Sequence, residues 1–195
     1  MPYDDGLMEI MLRCAVPDRP GSLAALAGAI GEAGGDIEAV DVVESEDGVA
    51  LDDLFVRVGS PEGLRAVMER VRVVEGVKLI HTGPSRGHPG DAVTRAAIGL
   101  EAILSGAMTM EHGLEALLGG LLRASQVTLE PTESAPRPND RLLVLPFAGK
   151  ALVLRRDYRF TETEINRAHS LLRVCCEAAR AVGEGNHSDA VENPR

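Results

Sequence analysis

Apolar and polar residues follow strand-like and helical periods from the eighth residue onward. Residues 8–16 alternate with apolar side chains at every even position, which predicts a half-buried strand. Residues 17–22 hold two prolines and a glycine, a composition typical of a tight turn. Apolar residues from Leu23 to Ile30 then recur at helical spacing. The segment therefore predicts a strand, a turn and a helix.

Residues 37–83 continue the same architecture. Residues 37–43 and 51–58 predict two antiparallel strands, Ser60 followed by proline suits the start of a second helix, and residues 77–82 predict a fourth strand. The order βαββαβ is that of a ferredoxin-like domain, a four-stranded antiparallel sheet with both helices on one face. We expect the other face of the sheet to be open.

The second half of the chain predicts a smaller α+β domain. Two apolar helices, the first capped by Asp91, precede a short strand and a hairpin over residues 141–155. Thr161 and Glu164 have the spacing of a capping box that begins a last, long helix. The predicted division is residues 1–83 for the first domain, 84–91 for a linker, 92–183 for the second domain and 184–195 for a disordered tail.

Composition and charge exclude several classes of function. The net charge is −10, and residues 1–90 carry sixteen acidic against eight basic side chains, so the first half would repel a phosphate backbone and we expect no nucleic-acid binding. The start of the chain is acidic and no apolar stretch is long enough to span a bilayer, which favours a cytoplasmic protein without membrane contact. The three cysteines and five histidines show no metal-ligand spacing, and nothing in the sequence calls for a cofactor.

Residues 16–37 read VPDRPGSLAALAGAIGEAGGDI. This run resembles the end of the first strand, the Asp-Arg-Pro-Gly turn, the first helix and the start of the second strand of an ACT domain, and the resemblance extends over about residues 8–83. It implies an effector, commonly an amino acid, held between the first turn and the second strand at an interface between two such domains. The implied ligand-binding residues are Asp18, Arg19, Pro20, Gly21, Ser22, Leu23, Asp36 and Ile37.

The residue types in that set suit a zwitterion. Gly21 lets the backbone N–H groups at the start of the first helix approach a carboxylate, and the helix dipole favours the negative charge. Asp36 could accept the ammonium group. These two groups lie at opposite ends of one helix, so they would meet only if a second copy packs alongside. The turn residues could equally serve the turn alone, with Asp36 a solvated residue.

A second, weaker resemblance concerns residues 92–183. The stretch from Leu142 to Arg156 and the closing helix resemble the last strands and final helix of a shortened GAF domain. Few of the middle strands that form a GAF pocket have a counterpart here, so dimerisation is the role that this resemblance favours.

Three functions follow in order of preference. The first is a non-enzymatic regulatory homodimer that binds an amino acid or a similar effector. The second is an interaction protein without its own ligand, which docks onto an enzyme or regulator through the open sheet face and the apolar helix around residues 114–122. The third is a small enzyme of amino-acid metabolism, against which stands the lack of a nucleophile–base pair or metal cluster. Gly83-Pro-Ser85-Arg-Gly87 matches the G-x-S-x-G motif of hydrolases, but prolines on both sides of the serine argue against its elbow.

Overall fold

A computed structural model describes residues 7–85 and 92–188, with side chains described for residues 7–85 and 93–180. The chain divides into two compact units, Met1–Pro89 and Gly90–Arg195. The predicted cap Asp91, most of the predicted linker and residues 189–195 lie outside the described residues.

The first unit has the βαββαβ order and the antiparallel sheet of a ferredoxin-like fold, as predicted. Its strands pair in the order β2-β3-β1-β4. In chain order its elements are β1 (Met8–Pro17), α1 (Ser22–Glu32), β2 (Asp36–Glu46), β3 (Val49–Val58), α2 (Pro61–Arg72) and β4 (Lys78–Pro84). The Oγ of Ser60 accepts the N–H of Gly63 at 3.1 Å, the N-cap that the sequence predicts. Pro84, which belongs to the predicted linker, is the last residue of β4.

Both helices pack on one face of this sheet. Leu26 and Ile30 of α1 and Val67 and Val71 of α2 are fully buried, in one cluster with the even-numbered residues of β1 and β3. These strand residues are Ile10, Leu12, Cys14, Val16, Leu54, Val56 and Val58. Even positions of β1 and β3 therefore face the helices.

The face of the sheet away from the helices is not open at its centre, contrary to our expectation. Met11 lies opposite Phe55 and Arg13 opposite Asp53 across β1 and β3, and all four side chains are at most 3% exposed. Arg13 donates to both carboxylate oxygens of Asp53, from Nε at 2.6 Å and from Nη2 at 2.8 Å. A bidentate pair of this kind offsets much of the desolvation of two buried charges, which is why a charged row can occupy a buried surface.

The second unit is also α+β, with three helices and a three-stranded antiparallel sheet among its described residues. Its elements are α3 (Ala92–Leu104), α4 (Met110–Leu121), β5 (Gln126–Pro131), β6 (Leu142–Phe147), β7 (Lys150–Arg155) and α5 (Glu162–Ser188), and the strand order is β5-β7-β6. A short 3₁₀ turn, Thr132–Ser134, follows β5. The resemblance to a GAF domain stays a prediction.

The apolar face of α4 is turned into the core of this unit. Leu114, Leu117, Leu118 and Leu122 are at most 6% exposed and pack with residues of β6, β7 and α5. These leucines are therefore buried within the unit. The prediction of a docking surface around residues 114–122 is wrong.

Arg156 joins three elements of the second unit. It follows β7 and donates hydrogen bonds to both carboxylate oxygens of Glu164 near the start of α5, to the carbonyl of Leu122 at the end of α4, and to the carbonyls of Tyr158 and Arg159. Glu164 also accepts the N–H of Thr161 at 2.9 Å, while its own N–H donates to the Thr161 Oγ1 at 3.1 Å. This is the capping box that the sequence predicts, anchored by a buried arginine.

Helix α5 continues to Ser188 and so overruns the predicted start of a disordered tail at residue 184. The sequence there is polar and contains glycines, which favoured disorder. Adding residues to a helix that is already formed costs far less than starting a new one, because the nucleation cost does not recur.

Candidate functional site

The turn between β1 and α1 lies at one end of the first sheet and is tied to the β2–β3 hairpin. The N–H of Asp18 donates to the carbonyl of Gly48 at 2.8 Å, and the Oγ of Ser45 donates to the Asp18 carboxylate at 2.6 Å. Asp18, Arg19, Pro20 and Gly21 are exposed. The predicted site residues 18–23 are thus together at an accessible end of the sheet.

Gly21 is the N-cap residue of α1 and adopts φ +93°, the left-handed region that favours glycine. No side chain caps α1, and its first turn contains no acidic residue. The first N–H groups of a helix have no partner within the helix and carry a partial positive charge. The start of α1 is therefore a site where a carboxylate could replace the missing cap.

Asp36 and Ile37 lie at the other end of the same sheet. They follow α1, whose eleven residues span about 16 Å at a rise of about 1.5 Å per residue. Ile37 is half-buried against the core, so its side chain has a structural role. Within one chain, the structure does not bring Asp36 and Ile37 to the turn.

The carboxylate of Asp36 already has a cationic partner. The Arg57 guanidinium is 2.9 Å from Asp36 and 3.1 Å from Glu38, and its hydrogen bond with Asp36 raises the pKa of Arg57 above its usual value. An ammonium ion at Asp36 would have to compete with this guanidinium.

Sequence reasoning missed Asp52. It occupies an even position of β3, lies directly opposite Cys14 of β1, and is 2% exposed. Its Oδ1 has no hydrogen-bond partner among the described residues. The signal was present: residues 51–58 predict a strand whose even positions are apolar at 54, 56 and 58, so one of the adjacent pair Asp52 and Asp53 had to face the helices.

The pKa values around Asp52 reflect this burial. Desolvation raises the pKa of the Asp52 carboxyl, and the nearby charges of Asp53, Asp18 and Asp41 raise it further. Burial, with the charges of Asp52 and Asp53, also raises the pKa of the Cys14 thiol to about 12. Cys14 is therefore a protonated core thiol at neutral pH and is unsuited to nucleophilic chemistry.

The serine of the G-x-S-x-G match lies at the end of a strand pair, and the described residues contain no cluster suited to a metal ion. The N–H of Ser85 donates to the carbonyl of Glu9 at 3.0 Å, so the serine of the G-x-S-x-G match prolongs the pairing of β4 with β1. Arg86 and Gly87 of that match are outside the described part of the chain. Across residues 7–85 and 92–188, no three histidine, cysteine, aspartate or glutamate side chains are grouped so as to hold a metal ion.

The second unit has a small apolar groove between α3 and α4, with a volume of about 190 Å³. Its lining residues are Arg95, Ile98, Gly99, Met108, Gly113, Ala116, Leu117 and Leu121. Such a volume is below the range of about 300–1,000 Å³ that is typical of small-molecule sites.

No described helix of the chain is long and apolar enough to cross a membrane.

Comparison with known proteins identifies one family. A family model for the ACT domain matches residues 10–76, which contain the turn, α1, Asp36 and Asp52. A search of curated proteins finds no match.

The solved structures that match this chain have little sequence in common with it. An unknown protein from Galdieria sulphuraria is 14% identical, with 88% of this chain and 92% of the other covered and a TM-score of 0.34. A putative glycine cleavage system transcriptional repressor is 10% identical, with coverages of 88% and 93% and a TM-score of 0.38. The regulatory subunit of aspartate kinase from Thermus thermophilus, in a ligand-free form, is 13% identical, with coverages of 90% and 93% and a TM-score of 0.31. At these values nothing of their function is transferred to this chain.

The βαββαβ order, the sheet with both helices on one face, and the family match agree with one another, and residues 10–76 of this chain are an ACT domain.

Proposed function

We propose that this chain is a non-enzymatic regulatory protein whose ACT domain binds a free amino acid or a similar small effector at the turn formed by residues 18–23. ACT domains generally bind small effectors such as amino acids and often dimerise. The proposal includes a homodimer in the cytoplasm, with the effector at the interface between two ACT domains. No cofactor, membrane or nucleic acid takes part.

One observation carries the proposal: the start of α1 has no side-chain cap and lies behind a glycine in the left-handed region. A helix start of this kind accepts a ligand carboxylate through its N–H groups, where the helix dipole contributes about 0.3–1 kcal/mol. A Cβ on Gly21 would meet no atom within 4 Å. The space beside Gly21, at the start of α1, is therefore open.

The edge of the sheet supports pairing of two copies. β2 is an edge strand, and its Val40 and Val42 are 39% and 58% exposed. Exposed apolar residues on an unpaired strand edge favour association with another strand or surface. A second copy placed there could bring its own Asp36 and Ile37 near the turn of the first copy. Within one chain, these two residues and the turn lie at opposite ends of the sheet.

A thermal-shift screen against the twenty amino acids tests the proposal. A ligand that binds only the folded state at 100 times its dissociation constant adds about 2.7 kcal/mol to stability. Gly21→Ala and Gly34→Ala form a matched pair, because both glycines have positive φ (+93° and +80°), both have open space around a new Cβ, and they lie at opposite ends of α1.

We expect both variants to lose stability by about 1–2 kcal/mol through backbone strain. Only Gly21→Ala should also lose the ligand-induced shift. Equal retention of the shift in both variants would place the ligand elsewhere. A flat response of the unmodified chain to all twenty amino acids would instead favour the ligand-free interaction protein.

A further inference from the structure

The Asp52 side chain carries a carboxyl group that is buried in the first unit, with an exposure of 2%. Other acidic groups near it are engaged: Asp53 is paired with Arg13, and Asp18 accepts from Ser45. Asp52 Oδ1 is buried and has no hydrogen-bond partner within the described residues. Removing an ionised carboxylate from water is costly unless a cation or hydrogen-bond donors compensate. A carboxylate in this state is suited to a cationic group that the described residues do not supply.

Strand geometry places this carboxylate beneath α1. Asp52 projects from the same side of β3 as Leu54 and Val56, which pack against Leu26 and Ile30 of α1. α1 contacts β1 and β2, the two strands that flank β3. Cys14, the neighbour of Asp52 across β1, is three residues before the end of that strand, from which the turn carries the chain to the start of α1.

The end of the sheet nearest the turn offers a way in. Ala50 lies two residues from Asp52 on the same side of β3, has a small side chain and is only half-buried. The exposed residues Val49 and Gly48 lie beyond it, and the carbonyl of Gly48 accepts a hydrogen bond from the N–H of Asp18 in the turn. The accessible end of this side of β3, which carries Asp52 two residues further along from Ala50, therefore lies beside the turn.

The charge pattern favours an ammonium group as that cation. After burial, the negative charges of Asp53, Asp18 and Asp41 each raise the pKa of Asp52, so the charges that act on this carboxyl are negative. The described residues offer no third ligand that would make this a metal site. An ammonium group supplies one positive charge and three N–H donors in a small volume.

We propose that Asp52 accepts the ammonium group of an amino-acid effector whose carboxylate binds at the start of α1, so that one chain holds both poles of the zwitterion. This inference rests on the proposed function and deepens it. Asp36, engaged with Arg57, is then not required for the ammonium group. Ligands that lack a primary ammonium group, such as N-acetyl amino acids, are rejected because they leave Asp52 buried and unpaired.

The test compares Asp52→Asn with Asp36→Asn in the full chain. Asparagine preserves the size of each side chain and removes its charge. Each variant and the unmodified chain are titrated by calorimetry with every amino acid that gives a thermal shift, and with the N-acetyl derivative of that amino acid. Melting temperatures without ligand show that each variant is folded.

We expect Asp52→Asn to bind the amino acid at least about 30-fold more weakly, the lower bound for truncating one partner of a buried charge pair. It should also lose most of the preference over the N-acetyl derivative, while Asp36→Asn keeps both properties. Unchanged affinity and preference in Asp52→Asn, with binding to the unmodified chain intact, would overturn the role of Asp52 and leave the proposed function standing. Absence of binding to the unmodified chain would overturn both.

Discussion

Replacing Arg156 by methionine should destabilise the second unit more than any surface substitution. All five N–H groups of this guanidinium donate hydrogen bonds, two to the Glu164 carboxylate and three to backbone carbonyls. The side chains of Arg156 and Glu164 are 1% and 4% exposed. The guanidinium also lies 4.2 Å from the ring centroid of Tyr158 and 3.9 Å from that of Phe160.

The expected loss of stability follows from the carboxylate that the substitution leaves without its cation. Methionine fills a similar volume but donates nothing, so the Glu164 carboxylate stays buried without its cation. Breaking a buried ion pair in this way costs about 3–5 kcal/mol. Since a domain of this size has a total stability of about 5–15 kcal/mol, the unit would lose a large fraction of it.

Lys150→Met is the matched control. Lys150 pairs with Glu111 at 2.7 Å, but these side chains are 47% and 46% exposed, and such a pair contributes about 0–1 kcal/mol. Arg156→Lys is a second comparison: it keeps the charge but has only three donors and no planar fork, so it should also be clearly destabilising.

Chemical denaturation followed by circular dichroism at 222 nm measures all three variants, and thermal melting gives an independent reading. A loss of 3 kcal/mol corresponds to a fall in melting temperature of about 12 °C or more for a domain of this size. If Arg156→Met loses no more stability than Lys150→Met, the arginine does not anchor α4, β7 and α5 as we describe.

Three further predictions concern other parts of the chain. Gly113→Ala places a Cβ 2.3 Å from Cγ1 of Ile103 and should cost about 1–3 kcal/mol, whereas Gly120→Ala on the same helix meets nothing and should be neutral or slightly stabilising; urea denaturation of both variants decides this. Cys14 should not react with a thiol reagent in the native protein at pH 8 and should react after unfolding, so rapid native labelling identified by mass spectrometry would contradict its burial. Because the pKa of Asp52 is raised in the folded state, its contribution to stability is fully present below the ordinary aspartate pKa and is lost as the pH rises through the folded value. Asp52→Asn should therefore gain stability relative to the unmodified protein as the pH rises from acidic to neutral. Parallel profiles of stability against pH for the two proteins would refute this.

Local sequence patterns predicted much of the fold because strand alternation, helix capping and turn formation depend on residues that are close in the sequence. The alternation in β1 identified the face that packs against α1 and α2, and the Thr161–Glu164 spacing identified the capping box at the start of α5. The glycine-containing turn before α1 likewise predicted where this helix begins.

Contacts between distant residues were harder to predict. Asp36 and Arg57 are 21 residues apart, and β2 and β3 shift register between Ile37 and Ala39, so their ion pair could not be read from the sequence. Strand parity could place Asp52 on the helix-facing side, but the lack of a partner for its Oδ1 depends on every side chain around it. The buried row with Arg13 and Asp53 was missed because charged residues on a strand usually indicate exposure.

The most direct test is a titration of the isotope-labelled full chain with amino acids, followed by two-dimensional ¹H–¹⁵N NMR. The account predicts that one amino acid, or a small group of related ones, shifts the backbone signals of residues 18–23 and of the β3 segment around Asp52, with smaller changes elsewhere. No response to any of the twenty amino acids, or shifts confined to the unit that begins at Gly90, would contradict it.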